Sequence, residues 1–310
     1  MRRPPDLSPA CDFSTAQLGL ITTAQCRVLG FSPDQLTDAV RRGEWERVAR
    51  GVYDTRCAIL GPDDHDLRRR RAITLAQLAG GPESVCVGLT ALAVHEIWGV
   101  PSDLRPEVAF PGARSVRGPG GCAVRRFSPG QVEMVDGHRT VDVRTALVQA
   151  LPEVSRWTGV ALLDNALNKE RITMDDLPDI ARRVAGRRGS ARWKDWWPLA
   201  DGRAESPPET WARLDCLDHG LPPDELQVEV YDRFGRFVGR GDLGWRTRRG
   251  WVIAEIDGAE VHSELAALFT DRSRQNALVK IPGVTVLRYT STDRGGIIAR
   301  DVRELLSQAA

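Results

Sequence analysis

Three Ser/Thr-x-x-Gln patterns crowd the first 35 residues: Ser14-Thr15-Ala16-Gln17, Thr22-Thr23-Ala24-Gln25 and Ser32-Pro33-Asp34-Gln35. Each fits a capping box, in which the hydroxyl accepts the N3 amide and the glutamine reaches back to the cap. Helix starts this close together allow only short helices. Gly19 and Gly30 fall where the first two should stop, and Pro33 takes the first helical position, where its missing N–H costs nothing. Glu44 to Tyr53 then reads as a small β-hairpin. Helix, helix, helix, hairpin is the order of a winged helix-turn-helix, expected over residues 1–57.

The third helix, about Ser32 to Arg42, must turn one side to a core and another to a major groove. Leu36 and Val40 supply an i, i+4 apolar pair, while Gln35, Asp38, Arg41 and Arg42 stay polar. Gln35, Arg41 and Arg42 on this helix, with Arg47 and Arg50 on the hairpin, are the candidate contacts to double-stranded DNA, the arginines of the hairpin to phosphate. A small helical bundle with a protein partner is the alternative. The net charge of +1 excludes a histone-like blanket binder, yet only Lys169, Lys194 and Lys280 are lysines among 43 basic residues. Phosphate contacts are therefore expected to be forked guanidinium contacts.

At 310 residues the chain predicts two or three domains, and 42% hydrophobic with 27% charged residues is an ordinary globular mixture. No apolar run approaches the roughly 18 residues of a membrane span, and Met1 to Asp6 leads into no apolar signal region. Cys11, Cys26, Cys57, Cys86, Cys122 and Cys216 lie far apart with no C-x-x-C. That spacing predicts reduced thiols, neither zinc nor a disulfide framework, and a cytoplasmic protein without a membrane partner.

The middle segment, 58–200, reads as α+β: a helix from Asp66 to Leu78, strands near Val85–Val87, Glu107–Phe110, Cys122–Phe127 and Thr140–Val143, and helices near 90–98, 144–151, 156–168, 173–185 and 189–199. His95 and His138 have no partner nearby in sequence and are expected in core or surface roles. Arg182, Arg183, Arg187, Arg188, Arg192 and Lys194, beside Trp193, Trp196 and Trp197, read as a solvated helical face or a DNA-facing strip. Asp201 to Pro208 reads as a linker. The third segment, 201–310, gives the order αβββαβα, an α/β layer with a mixed sheet. The fold class is thus multi-domain α/β (α+β).

In that third segment, strands Phe237–Trp245 and Trp251–Asp257 flank a short turn, and Asp242 and Glu255 are equidistant from its centre. Opposite residues of an antiparallel pair share a face, and Asp257, two residues on, shares it too. Three carboxylates in an apolar hairpin are costly to bury unless a cation offsets them. Mg²⁺ or Mn²⁺ held by Asp242, Glu255 and Asp257 would do so, and would suit phosphodiester hydrolysis. His262 is placed to act as base or acid, Glu209 to orient a water, and Arg274 and Arg288 to hold phosphate. A solvent-exposed sheet face with ordinary carboxylates stands as the alternative.

The third segment resembles the domain of unknown function related to the very-short-patch-repair endonuclease, within the PD-(D/E)xK nuclease superfamily. The likeness rests on Glu209, Asp242, Glu255 to His262, Asp271, Arg274, Asn276 and Val286-Leu287-Arg288. It implies a restriction-endonuclease-like domain, with Asp257 standing where the superfamily usually carries lysine. The first segment resembles the winged-helix domain of AbiEi-type antitoxins of type IV toxin–antitoxin systems. That likeness lies in Gly19-Leu20-Ile21-Thr22, Gly30-Phe31-Ser32, Gly43 to Val48 and Arg50 to Tyr53; the middle segment follows it more loosely. It implies a transcriptional autorepressor, with a cognate nucleotidyltransferase-like toxin as partner. A Mg²⁺-dependent DNA endonuclease targeted by its winged helix is the other reading.

Overall fold

Thr22 and Ser32 cap helices as their patterns require. In the computed structural model, which describes residues 6–58, 60–61, 64–113, 120–257, 278 and 280–308, both boxes are closed from each side. Gln25 N–H donates to Thr22 Oγ1 at 3.1 Å and Thr22 N–H to Gln25 Oε1 at 2.7 Å; the matching distances for Ser32 and Gln35 are 3.3 and 2.8 Å. Ser14 is different. It lies near the end of helix α1 (Ser8–Thr15), not before a helix. Its hydroxyl hydrogen-bonds Thr55 at 2.7 Å, a long-range partner that overrides the local pattern.

The chain divides into two compact units, one of Met1–Val154 with Asp175–Ala191, the other of Ser155–Met174 with Arg192–Ala310. In the first, α1, α2 (Thr23–Val28) and α3 (Pro33–Arg41) join strands β1 (Leu20–Thr22), β2 (Glu46–Ala49) and β3 (Val52–Asp54). The strands form a sheet in the order β1-β3-β2. Strand β1 was not expected, because three residues carry no periodicity. The core of this segment gathers Ala10, Ile21, Cys26, Phe31, Leu36, Ala39 and Trp45. Trp45 lies between Phe31 and Tyr53, with ring centroids 6.2 and 6.0 Å away. Its near-complete burial contributes roughly 2–3 kcal/mol.

Helix α4 (His65–Gly80) packs Leu75 and Leu78 against Leu20, Ala49 and Val52. Arg71 on α4 pairs with Asp54 at 2.6 Å. Beyond it, strands β4 (Val85–Cys86), β5 (Glu107–Ala109), β6 (Ala123–Val124), β7 (Val132–Val135) and β8 (His138–Val141) form a sheet ordered β6-β5-β4-β8-β7. With it come α5 (Gly88–Val94), α6 (Val143–Ala150) and, from the later stretch, α8 (Leu177–Val184). His95 is buried and bonds the Val141 carbonyl through Nε2 at 2.8 Å, a core role.

Cys11 and Cys57 are joined as a disulfide, their Cα atoms 5.6 Å apart, which corrects the expectation of six reduced thiols. Sequence spacing concealed it, because the packing of α1 against the chain leaving β3 is what brings the two together. Cys26, Cys86, Cys122 and Cys216 are free and buried. Among the described residues no helix is long and apolar enough to cross a membrane.

The second unit holds α7 (Arg156–Asn168), α9 (Pro207–Asp218), strands β9 (Glu225–Tyr231), β10 (Phe237–Arg246), β11 (Trp251–Asp257) and β12 (Val284–Thr290), and α10 (Ile297–Gln308). The sheet runs β12-β11-β10-β9, with β9, β10 and β11 antiparallel and β11 parallel to β12. On one face Leu226, Leu243, Trp245, Val252, Ala254 and Ile256 meet Ala212 and Cys216 of α9 and Ile298 and Val302 of α10. On the other, Val228, Val230 and Ile253 meet Leu278. The helix expected at 263–279 falls largely outside the described residues.

Asp201 to Pro208 is not a loose linker. Asp201 N–H donates to Asp164 of α7 at 2.7 Å, Ala204 is buried, and Glu205 pairs with Arg240 at 2.6 Å. Asp164 is 1% exposed and also accepts from Thr210 Oγ1 and Arg213 of α9, at 2.8 and 2.7 Å. Burial raises its pKa to about 6, against the opposing pull of Arg213 and these hydrogen bonds.

Candidate functional site

Helix α3 turns Leu36 and Ala39 inward and leaves Asp34, Thr37, Arg41 and Arg42 exposed. Its arginines are partly neutralised: Arg41 pairs with Asp38 at 2.7 Å, and Arg42 with Glu44 at 2.9 Å. The Gln35 side-chain oxygen is spent on the Ser32 cap, so its amide nitrogen is what it can offer a base. Arg47 on β2 and Arg50 at the wing tip are exposed and make no ion pair among the described residues. The tip closes through Gly51 at φ 75°, a left-handed conformation that favours glycine. Arg47 and Arg50 thus add two exposed guanidinium groups without ion pairs among the described residues to the exposed side chains of α3.

In the second unit the carboxylates gather around the β10–β11 pair. The ladder keeps the register read from the turn, Leu243 opposite Ala254 and Gly244 opposite Ile253. One step further, Asp242 Oδ2 accepts the Ile256 N–H at 2.7 Å, so its side chain takes over where the backbone ladder ends. Glu209, in the first turn of α9, is 7% exposed and held from three sides. Ser206 Oγ donates to it at 2.7 Å, the Glu205 N–H at 2.9 Å and Gln227 Nε2 at 2.8 Å. Burial, and then the nearby charge of Asp242, push its pKa up to about 7 despite these donors.

Glu255 is buried, and its strand partner across the parallel ladder is Arg288. The Arg288 guanidinium lies 3.8 Å from Glu255 and 2.7 Å from Asp257, which is half exposed. Glu255 and Asp257 do reach the same group, and that group is an internal cation. Among the described residues no set of three or more His, Cys, Asp or Glu side chains is close enough together to hold a metal ion. Asp242, Glu255 and Asp257 are therefore not brought together as a three-ligand set. His262, Asp271, Arg274 and Asn276 lie outside the described residues.

Sequence reasoning passed over Gln227, which with Ser206 holds Glu209. Ser206 was legible as a cap followed three residues later by Glu, whereas Gln227 comes from β9 and carried no local signal. It also passed over the turn Tyr231 to Phe237, whose signal was three aromatics and two arginines around a glycine.

Residues 13–53 match the family described as "Transcriptional regulator, AbiEi antitoxin". Over 279 residues the chain is 30% identical to the uncharacterized proteins MT2308 and Rv2248 of two Mycobacterium tuberculosis strains, CDC 1551 / Oshkosh and ATCC 25618 / H37Rv. The alignment covers 87% of this chain and 96% of each relative. The chain belongs to the family of these mycobacterial proteins. Family likeness therefore spans both units, while the antitoxin match is confined to residues 13–53 and runs from α1 to β3.

Proposed function

We propose that this protein is a DNA-binding transcriptional regulator of the AbiEi antitoxin kind, which grips double-stranded DNA with α3 and the β2–β3 wing. The observation that carries this is the pair Arg47 and Arg50, exposed and without ion pairs among the described residues, in the hairpin that follows the capped helix α3. The match of residues 13–53 supports it. Guanidinium groups without internal partners meet phosphates at no cost in broken ion pairs, and fix the register of the helix on the groove. A nucleotidyltransferase-like toxin is the protein partner that goes with this reading.

The test is binding of the full chain to duplex DNA from upstream of its own gene, measured by fluorescence anisotropy over a range of salt. Alanine at Arg41, Arg42, Arg47 and Arg50 together should weaken binding and flatten its salt dependence, because each lost phosphate contact releases fewer counterions. Wild-type affinity and slope in that variant would rule out this surface.

A second reading, a metal-dependent DNA endonuclease, is favoured by one observation: the buried Glu209 of α9 feels the charge of Asp242 on β10. Nicking of supercoiled plasmid with Mg²⁺ or Mn²⁺, lost in both Asp242→Ala and Glu255→Ala, would support it. No nicking by the wild-type protein leaves the regulator alone.

A further inference from the structure

Tyr231, Phe234 and Phe237 are 48%, 67% and 58% exposed, and they account for three of the nine large apolar side chains exposed among the described residues. Singly, such residues need no explanation; three within one turn do. The turn between β9 and β10 is firmly built. Phe234 N–H and Arg236 N–H both donate to Asp232 Oδ1, at 2.8 and 3.0 Å, and Arg236 Nε donates to Oδ2 at 2.8 Å. Gly235, at φ 75°, closes it with an N–H bonded to the Asp232 carbonyl at 2.9 Å. Phe234 is thereby held out at the apex.

Two guanidinium groups attend its ring, Arg233 at 4.7 Å and Arg236 at 5.2 Å from the centroid. Tyr231 and Phe237 pack edge to face beside it, 5.8 Å apart. Arg236 is tied to Asp232, but Arg233 makes no ion pair among the described residues. Within residues 231–237 two arginines stand against the single acid Asp232, which is taken up by Arg236. Flat π faces and one guanidinium without an ion pair among the described residues, at one rigid apex, ask for a ligand that offers flat rings and anions in alternation.

We propose that the Tyr231–Phe237 turn is a second nucleic-acid contact, which takes unstacked bases of single-stranded DNA. A base stacks on Phe234 in place of the Arg233 guanidinium, and the released guanidinium meets the adjoining phosphate. A second copy of this chain fits poorly, because a symmetric contact between two such turns would set Arg233 and Arg236 against their own counterparts. The proposal does not depend on the winged-helix reading, which concerns duplex DNA and the first unit.

The experiment uses the full chain and fluorescein-labelled oligo(dT) of about twenty nucleotides, enough for more than one stacking site. Phe234→Ala should weaken oligo(dT) binding by roughly tenfold or more, the scale of one base–aromatic stack. Phe234→Trp, which keeps a flat ring, should retain it, and Arg233→Ala should reduce its salt dependence. Phe234→Ala should leave duplex binding by the first unit unchanged, which separates this site from α3 and the β2–β3 hairpin. The side chains are exposed, and an unchanged thermal melt confirms that each variant folds. Oligo(dT) affinity equal to wild type in Phe234→Ala overturns the proposal, as does a wild-type protein that does not bind oligo(dT). A self-association lost on Phe234→Ala, with oligo(dT) binding intact, assigns the turn to a second copy and overturns it equally.

Discussion

Arg288 stands beside Glu255 in the parallel β11–β12 ladder and reaches past it to Asp257, 2.7 Å from that carboxylate. One guanidinium thus offsets two acids that sequence reasoning had assigned to a metal. A divalent ion drawn to these acids would compete with it. Arg288→Ala should therefore raise Mn²⁺ affinity by about tenfold, the removal of one competing charge at short range being worth about 1.4 kcal/mol or more. Because Arg288 is 44% exposed, the same change should cost only about 1 kcal/mol of stability. Calorimetric titration of the two full-length proteins decides it. Equal Mn²⁺ affinity in both would show that Arg288 does not guard these acids.

Glu209 makes the stability of the second unit depend on pH. Its proton is held more tightly in the folded chain, where the pKa is about 7, than in the unfolded chain, where it lies in the ordinary carboxylate range. At low pH both states hold the proton. As pH rises the unfolded chain releases it first, so stability is lost progressively until the folded carboxyl has ionised too. Between about pH 5 and pH 8 the wild-type protein should lose roughly 2–3 kcal/mol relative to Glu209→Gln, which stays neutral and can still bond Ser206 and Gln227. Urea unfolding at the two pH values measures the difference. Parallel losses in both proteins would place the titrating group elsewhere, with Asp164 the next to test.

Much of this architecture was legible where a local signal and the tertiary structure agree. Ser155 caps α7, and the helix spans Arg156–Asn168 as read. The β10–β11 register followed from the symmetry of one turn. Legibility ended where long-range packing decides. Ser14 carries a capping pattern, yet its hydroxyl serves Thr55 at 2.7 Å. The position of Arg288 depends on a parallel pairing across a crossover, which no local spacing announces. The carboxylates could be set near one another on paper, but the cation that answers them could not be chosen between a metal and an arginine.

The Cys11–Cys57 bridge closes a loop 46 residues long that contains nearly the whole winged helix. Cross-linking a loop of that size removes unfolded-state entropy worth about 3–4 kcal/mol. Reduction should lower the unfolding free energy of the first unit by that order. Thiol titration of the denatured protein should then rise from four groups to six. Six reactive thiols in denatured protein that was never reduced would exclude the bridge.

Asp164 sets where the second unit must begin. Its carboxylate takes the Asp201 N–H, the Thr210 hydroxyl and the Arg213 guanidinium, and the Trp211 indole donates to the Trp157 carbonyl at 3.2 Å. A fragment of residues 205–310 would keep Arg213, whose side chain is 12% exposed, and lose the carboxylate that answers it. Leaving a buried cation unpaired costs about 3–5 kcal/mol, a large part of what a small domain has. The 205–310 fragment should therefore be unfolded by circular dichroism, whereas 155–310 should show a cooperative melt. Asp164→Asn in the full chain should reproduce part of the loss, about 3 kcal/mol in urea, and expose Asp201 to Pro208 to limited proteolysis. A well-folded 205–310 fragment would restore the linker reading and make α7 dispensable to the sheet.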